Sequence, residues 1–144
     1  MKKTILLLAI GFAAITANAQ KVKEADVPAD VKKAFSTKYP TAKLKGWEKE
    51  NGNFEAEFNL DKAEMSVLID AKANIVETET EIKVSDLPKA VTDYCAKQYA
   101  GKKIKEASKI VDAKGATTYE AEIEKMDVLF DSTGKFIKES KDND

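Results

Sequence analysis

Two pairs of carboxylates are the residues whose spacing could do chemistry. Glu55 and Glu57 lie two residues apart, and Glu120 and Glu122 repeat that spacing further along the chain. Two carboxylates can serve as general acid and general base when their surroundings give them different pKa values. Both pairs alternate with apolar residues, as in a half-buried strand, which predicts four solvated groups with similar pKa values. The sequence therefore favours a charged outer sheet face, open to a binding role, over an acid–base site.

The residue types exclude most other catalytic sites. Among 144 residues there is no His and no Arg, and Cys95 is the single cysteine. Without His there is no Ser-His or Cys-His nucleophile pair and no His-ligated zinc. Cys95 is predicted to be a small buried hydrophobe. The run Asp-Ser-Thr-Gly-Lys at residues 131–135 is too short for a calcium loop and predicts a β-turn. We expect no catalytic residue, no cofactor and no metal, and predict that the protein is not an enzyme.

Apolar side chains on the same sheet face as the carboxylates could hold a partner. If Leu44 points into the core, strand alternation sends Trp47 to the opposite face, where an exposed Trp offers rigid contact area. Leu68 and Leu129 should also face outward if their neighbours Val67 and Val128 face inward. The alternative is a local bulge that turns Trp47 inward. The predicted partner-binding residues are Trp47, Glu55, Glu57, Leu68, Glu120, Glu122 and Leu129.

The first 19 residues have the three parts of a secretory signal peptide. Lys2 and Lys3 precede an apolar run over residues 5–15, and Ala-Asn-Ala at residues 17–19 is a cleavage site after Ala19. The apolar run is short for a membrane span; the alternative is a retained anchor helix. We therefore predict a periplasmic or secreted protein with no stable membrane span after cleavage. The mature chain would carry 22 lysines against 25 acidic residues, which disfavours nucleic acid as a partner.

The rest of the chain contains two copies of one sequence pattern. Val-Pro at residues 27–28 recurs as Leu-Pro at residues 87–88, and the strand motif at residues 54–58 recurs at residues 119–123. Because order, spacing and residue type agree, the pattern predicts a tandem repeat. The predicted divisions are a signal peptide at residues 1–19, repeat 1 at residues 20–82, repeat 2 at residues 83–140 and a disordered tail at residues 141–144.

Each repeat is predicted to be one helix followed by about four antiparallel strands. Val27, Val31, Phe35 and Tyr39 fall four residues apart, which places them along one helix face. Neither repeat alone buries much surface, so the two are expected to share one continuous sheet with both helices on one face, an α+β fold. In the turn at residues 71–74, which lacks a glycine, Asn74 is expected to take the strained position.

The order of these motifs resembles the β-lactamase-inhibitor-like, PepSY-like family of exported bacterial proteins. The resemblance is carried by Tyr-Glu-Ala-Glu-Ile at residues 119–123 and by Val-Leu-Phe-Asp-Ser-Thr-Gly-Lys-Phe-Ile at residues 128–137. It implies a tandem-repeat fold with helices against one antiparallel sheet. In the inhibitor that gives the family its description, the open sheet face grips an enzyme, and related domains are proposed to restrain peptidases. The resemblance thus implies binding rather than catalysis.

Together these observations predict an exported, non-enzymatic binding module. Its open sheet face would engage an envelope or extracellular protein or peptide of unknown identity, in an inhibitor-like role. The alternative is a carrier or sensor domain that binds a small ligand or peptide in the cleft between the repeats.

Overall fold

The structure is a computed structural model, and it describes residues 20–141. The predicted signal peptide, residues 1–19, and residues 142–144 of the predicted tail lie outside the described residues. Lys141, the first residue of that tail, is the last residue of a strand. Within residues 20–141 no helix has the length and apolar character needed to cross a membrane.

Two helices and nine strands follow one another in the predicted order. The helices are α1 (Ala29–Lys38) and α2 (Lys89–Gln98), and a short 3-10 turn precedes each. The strands are β1 (Gln20–Val22), β2 (Lys43–Glu50), β3 (Asn53–Leu60), β4 (Ala63–Ile69), β5 (Ile75–Ile82), β6 (Ile104–Asp112), β7 (Thr117–Ile123), β8 (Met126–Asp131) and β9 (Phe136–Lys141). Each helix is followed by four strands, which confirms the repeat of one helix and about four strands.

All nine strands form one antiparallel sheet in chain order. Most neighbouring strands are joined by a short turn. The connections before β2 and β6 instead contain helices α1 and α2, and each leads to the adjacent strand of the same sheet. β5 and β6 join the two repeats directly through the ladder from Glu77 to Ile82. The predicted continuous sheet is therefore confirmed, and so is the α+β class.

Both helices cover the same face of the sheet. In the first repeat Val31 and Phe35 of α1 pack with Phe58 and Val67; in the second, Val91 of α2 packs in a separate cluster. That second cluster includes Ala107, Ala121, Val128 and Phe130. Cross-strand register links the two clusters, since Val67 lies opposite Thr78, Thr78 opposite Val111, and Val111 four residues from Ala107. Side chains at even spacing along a strand share a face, so the helices lie on one side.

The helix faces follow from the four-residue spacing of their apolar side chains. Phe35 makes edge-to-face ring contacts with Trp47 and Phe58, at centroid distances of 5.6 and 5.2 Å. Cys95 occupies the position equivalent to Phe35 and is buried, as predicted. Tyr39, just beyond α1, completes the stripe with a hydrogen bond between its hydroxyl and Thr78 Oγ1 at 3.0 Å. Each helix is thus held to its own repeat.

The turns after β4 and β8 are built alike around an aspartate. Asp70 Oδ1 accepts the backbone N–H groups of Lys72 and Asn74, both at 2.8 Å. Asp131 Oδ1 accepts the equivalent groups of Thr133 and Lys135. The segment after Asp131 is therefore a turn between two strands, as predicted.

The left-handed position of the first of these turns is Ala73, and the expectation that Asn74 takes it is wrong. Ala73 has φ +65°, and Gly134, its counterpart in the second repeat, has φ +84°. Asn74 instead donates its side-chain amide to the Asp70 carboxylate. An L-residue with a Cβ is strained in the left-handed region, whereas glycine is not.

Replacing Ala73 by glycine should therefore stabilise the protein. We expect Ala73→Gly to raise the free energy of unfolding by about 0.5–1 kcal/mol, because relief of strain exceeds the added entropy of the unfolded chain. Urea unfolding followed by circular dichroism measures it. Ala71→Gly, in the same turn but without positive φ, is the matched control and should lose stability. A loss of stability in Ala73→Gly would contradict the assigned turn geometry.

Candidate functional site: an acidic sheet face

The side of the sheet turned away from both helices carries alternate carboxylates on strand after strand. We call this side the acidic face. Register places Glu55 opposite Glu48 on one side and Leu68 on the other, and Leu68 opposite Glu77. The acidic face carries Glu48, Glu50, Glu55, Glu57, Glu64, Glu77, Glu79, Glu81, Glu106, Asp112, Glu120, Glu122 and Asp127, with Lys21 and Lys138 among them.

Apolar and hydroxyl side chains separate these carboxylates across the strands. Ser108 lies opposite Glu120, Glu120 opposite Leu129, and Leu129 opposite Lys138. Glu79 lies between Ser66 and Ile110 in the same way. These side chains interrupt the carboxylates at some positions only, since Glu77 lies directly opposite Asp112, and Glu122 lies opposite both Glu106 and Asp127.

Much of the acidic face is buried although no helix of residues 20–141 lies on it. Leu129 is 0% exposed, and Glu50 and Glu55 are each 2% exposed. β5 and β9 are four strands apart, about 19 Å in a flat sheet, yet Lys138 on β9 lies close enough to lower the pKa of Glu77 on β5. We infer that the sheet curls about this face, so that the acidic face is concave and its own strands cover its centre.

Burial and mutual repulsion raise the pKa values of two carboxyls on this face. Burial, opposed by a hydrogen bond from Ser66 and reinforced by Glu79, Glu50 and Glu57, raises the pKa of Glu55 to about 9. Burial also raises the pKa of Glu77 to about 7, with Glu79 and Asp112 adding to the effect. A carboxyl in a poorly solvated site among like charges binds its proton more tightly.

Two further carboxyls on the acidic face are raised for the same reason and lack hydrogen-bond partners. Burial, and then Glu79 and Asp127, raise the pKa of Glu120 well above its usual value. Burial and Glu48 raise the pKa of Glu50. Among the described residues, nothing hydrogen-bonds to either carboxylate oxygen of Glu50 or to Oε2 of Glu120. These are sites at which a donor from another molecule would be favourable.

The acidic face brings together the predicted site residues except for one. Glu55, Glu57, Leu68, Glu120, Glu122 and Leu129 all lie on it, joined through the pairs Glu55–Leu68 and Glu120–Leu129. The expectation that the carboxylates are solvated is wrong for Glu55 and Glu120, because the curled sheet removes them from water. Leu68 and Leu129 turn away from the helices as predicted, but both are buried.

Trp47 is the exception: its predicted position on the open face is wrong. It is 3% exposed and lies in the first core cluster beneath α1, against Phe35. The register of β2 against β3 shifts between Leu44 and Gly46, so Lys45 is an extra residue. One extra residue reverses the alternation, and Trp47 falls on the same face as Leu44. The bulge that the sequence left open as an alternative is the observed arrangement.

Several central residues of the acidic face were missed in the sequence. Glu50, Glu77, Glu79 and Asp127 are all buried there. A signal for two of them was present, since residues 77–81 read Glu-Thr-Glu-Thr-Glu and strict alternation places all three glutamates on one side of a strand.

A second concavity lies where the two repeats meet. It is open to solvent and has apolar side chains that include Ile82. Its charged lining residues are Lys62, Lys83, Lys105, Asp61, Glu64, Glu81, Asp86 and Glu106. Its lining mixes both signs of charge more evenly than the acidic face does. Among the described residues no group of three or more acidic or cysteine side chains could hold a metal ion.

Solved structures from Bacteroides have this fold. A DUF2874 family protein from Bacteroides uniformis is 24% identical with a TM-score of 0.70, over 80% of this chain and 89% of that one. A protein described as periplasmic from Bacteroides eggerthii is 18% identical with a TM-score of 0.71, over 80% and 88%. A BLIP-like protein from Bacteroides fragilis is 24% identical with a TM-score of 0.64, over 81% and 87%. These likenesses show the fold.

The family comparison matches the chain twice, once for each repeat. The family described as "Putative beta-lactamase-inhibitor-like, PepSY-like" matches residues 13–77 and again residues 67–138. No curated protein matches the chain. The double match confirms the resemblance and the tandem repeat predicted from the sequence. This chain therefore belongs to the β-lactamase-inhibitor-like, PepSY-like family.

Proposed function

We propose that this chain is an exported, non-enzymatic module that binds a protein or peptide through the acidic face of its sheet, in an inhibitor-like role. The observation that carries the proposal is a nine-stranded sheet with both helices on one side and, among residues 20–141, no helix on the other. Ligand sites in proteins are concave, with apolar lining and a few polar groups that fix orientation. The signal peptide predicted over residues 1–19 supports export.

The chemistry of the acidic face supports binding rather than catalysis. Its perturbed carboxyls stand among leucines and other carboxyls, and the chain has no histidine or arginine to complete a nucleophile or anion site. Structural clusters of like charge also perturb pKa values, so the shifts by themselves do not identify an enzyme. Carboxyls held out of water do offer unmatched acceptors to a partner.

Photo-crosslinking from defined positions tests the proposal. A benzophenone side chain is introduced at Glu57 or Lys138, half-buried positions on the acidic face, and at Lys33 or Lys97, exposed positions on the helices. The exported variants are irradiated in their own cell envelope. We expect a discrete crosslinked partner from the acidic face and none from the helices.

A third position separates the two candidate functions. Lys83 lines the open cleft at the repeat junction, which is the observation that favours a small ligand or peptide held between the repeats. Crosslinks from Lys83 without crosslinks from Glu57 or Lys138 would favour that function. Crosslinks from the helix positions alone would contradict both.

A further inference from the structure

We propose that the partner segment received by the acidic face is basic, with lysine or arginine side chains alternating with apolar ones. This inference rests on the proposed function and names the chemistry of the partner. The inference starts from the buried carboxyls of the acidic face. A buried polar group that lacks a hydrogen-bond partner makes a contact selective, because it favours a partner that supplies the missing group over one that does not.

Glu50 is the clearest unmatched group. It is 2% exposed, and within residues 20–141 neither of its carboxylate oxygens has a hydrogen-bond partner. It faces into the acidic cluster, close enough to Glu55 and Glu77 to raise the pKa of each. An ammonium or guanidinium group carries only donors, and it would supply both the missing hydrogen bonds and the missing positive charge.

The apolar positions of the acidic face set the spacing of the partner. Leu68 lies between Glu55 and Glu77, and Leu129 between Glu120 and Lys138. An extended segment points successive side chains to opposite sides, so a side chain reaches the face every second residue. Because Leu68 and Leu129 are 5% and 0% exposed, the segment lies over the half-buried carboxyls Glu57, Glu120 and Glu122. Its basic side chains point toward these carboxyls, and its apolar side chains point to the opposite side.

Binding of a cation would exchange charge for protons. Each carboxyl that accepts an ammonium group gives up its proton to the buffer, and the charge within the face stays balanced. The charged groups on this face are Glu48 and Glu50 on β2, Glu55 and Glu57 on β3, Glu64 on β4, Glu77, Glu79 and Glu81 on β5, Glu106 and Asp112 on β6, Glu120 and Glu122 on β7, Asp127 on β8, Lys21 on β1 and Lys138 on β9. Lys45 of β2 also reaches it, with its Nζ 2.8 Å from Glu64 Oε1. Affinity should therefore rise with pH between 5 and 8.

Isothermal titration with synthetic peptides tests the inference. The probes are three acetylated, amidated hexapeptides: alternating Lys-Leu, alternating Glu-Leu, and a block of three Leu followed by three Lys. Titrations at pH 7.5 in two buffers of different ionisation enthalpy report the protons released. We expect the alternating Lys-Leu peptide to bind at least tenfold more tightly than either control, with net proton release.

Matched variants locate the binding. Glu50→Gln and Glu77→Gln should each weaken the Lys-Leu peptide about tenfold while leaving the fold intact, because glutamine keeps the shape and removes the charge. Asp30→Asn removes the same charge from an exposed position on α1 and should leave affinity unchanged. A variant that binds less tightly but melts no lower cannot be explained by unfolding.

The inference is overturned if none of the peptides binds, if the three bind equally, if no protons are released, or if Asp30→Asn weakens binding as much as Glu50→Gln. Its failure is distinct from failure of the proposed function. A partner crosslinked from Glu57 that is retained equally by Glu50→Gln and at pH 5 would leave the function in place and remove the basic segment. Absence of crosslinks from the acidic face would remove the function.

Discussion

The free energy of unfolding should fall as the pH rises from 5 to 9. The folded protein holds the Glu55 proton up to about pH 9 and the Glu77 proton up to about pH 7, whereas the unfolded chain releases both near pH 4.5. Between those pH values the folded state binds more protons than the unfolded state. The contribution of these two carboxyls to the free energy of unfolding is therefore fully present below pH 4.5 and is lost as the pH rises through their folded pKa values. Between its unfolded and its folded pKa, each such carboxyl lowers the free energy of unfolding by about 1.4 kcal/mol per pH unit.

The expected loss is large compared with the stability of an ordinary domain. Glu55 alone accounts for about 4 kcal/mol between pH 5 and pH 8, and domains of this size are stable by about 5–15 kcal/mol. The melting temperature should therefore drop by about 10 °C or more over this interval. Differential scanning calorimetry at half-unit steps of pH measures the profile.

Replacing Glu55 by glutamine should remove the part of this dependence that Glu55 contributes, while the part from Glu77 and Glu120 remains. Glu55→Gln cannot ionise and still offers an oxygen to the Ser66 hydroxyl, so it should be more stable than the parent at pH 8 and close to it at pH 4.5. Asp30→Asn, the exposed control, should keep the parent profile. A parent profile that stays level from pH 5 to pH 9 would show that these carboxyls are solvated and that the acidic face is open.

Below pH 4 the trend should reverse for a different reason. The pKa of Asp70 is lowered by hydrogen bonds from Asn74 and Lys72, and that of Asp131 by hydrogen bonds from Thr133 and Lys135. These hydrogen bonds contribute stability above the pKa that the two aspartates have in the unfolded chain. That contribution is lost as the pH falls through the lower pKa of each aspartate in the folded protein. Maximum stability near pH 4.5–5 follows from the two groups of carboxyls acting in opposite directions.

The repeat and its helices could be predicted from the sequence because their causes are local. Apolar residues four apart fix the helix faces, and alternation over residues 54–58 and 119–123 fixes the strand faces. The position of Glu55 opposite to the core-facing Phe54 follows from the same alternation. These patterns depend only on residues close together in the chain, and they occur separately in each repeat.

The burial of the acidic face could not be predicted in the same way. Whether Glu55 and Glu120 meet water depends on how far the sheet curls, and that is a property of all nine strands together. A strand pattern of alternating apolar and acidic residues is the same whether the acidic side faces solvent or the inside of a curved sheet. The effect of the distant Lys138 on the pKa of Glu77 has no counterpart in any local window of the sequence.

The face of the sheet on which the Trp47 side chain lies depends on one inserted residue. Counting alternation from Leu44 gives the wrong face, because Lys45 is bulged and the count shifts by one. The equivalent shift occurs between Ile104 and Glu106 in the second repeat, so the bulge belongs to the repeat unit rather than to one strand. A bulge after the helix connection bends the strand under the helix and turns the next large side chain toward it.

Truncating Trp47 should therefore unfold the first repeat rather than remove a contact with a partner. Trp47→Ala leaves a cavity beside Phe35 in the first core cluster, and such large-to-small changes cost about 3–5 kcal/mol. We expect the urea midpoint at pH 5 to fall by a third or more of its parent value. Urea unfolding followed by near-ultraviolet circular dichroism measures it.

Two milder substitutions separate a core position from an exposed one. Trp47→Phe keeps most of the buried ring area, and no hydrogen bond is lost because Trp47 Nε1 has no partner among residues 20–141, so the cost should stay below about 1.5 kcal/mol. Leu44→Ala, on the same face but 36% exposed, should cost less than about 1 kcal/mol. If Trp47→Ala instead kept full stability and lost the crosslinked partner, the indole would be a surface anchor. The bulge at Lys45 would then be misplaced, and with it the assignment of the β2 side chains that follow Lys45.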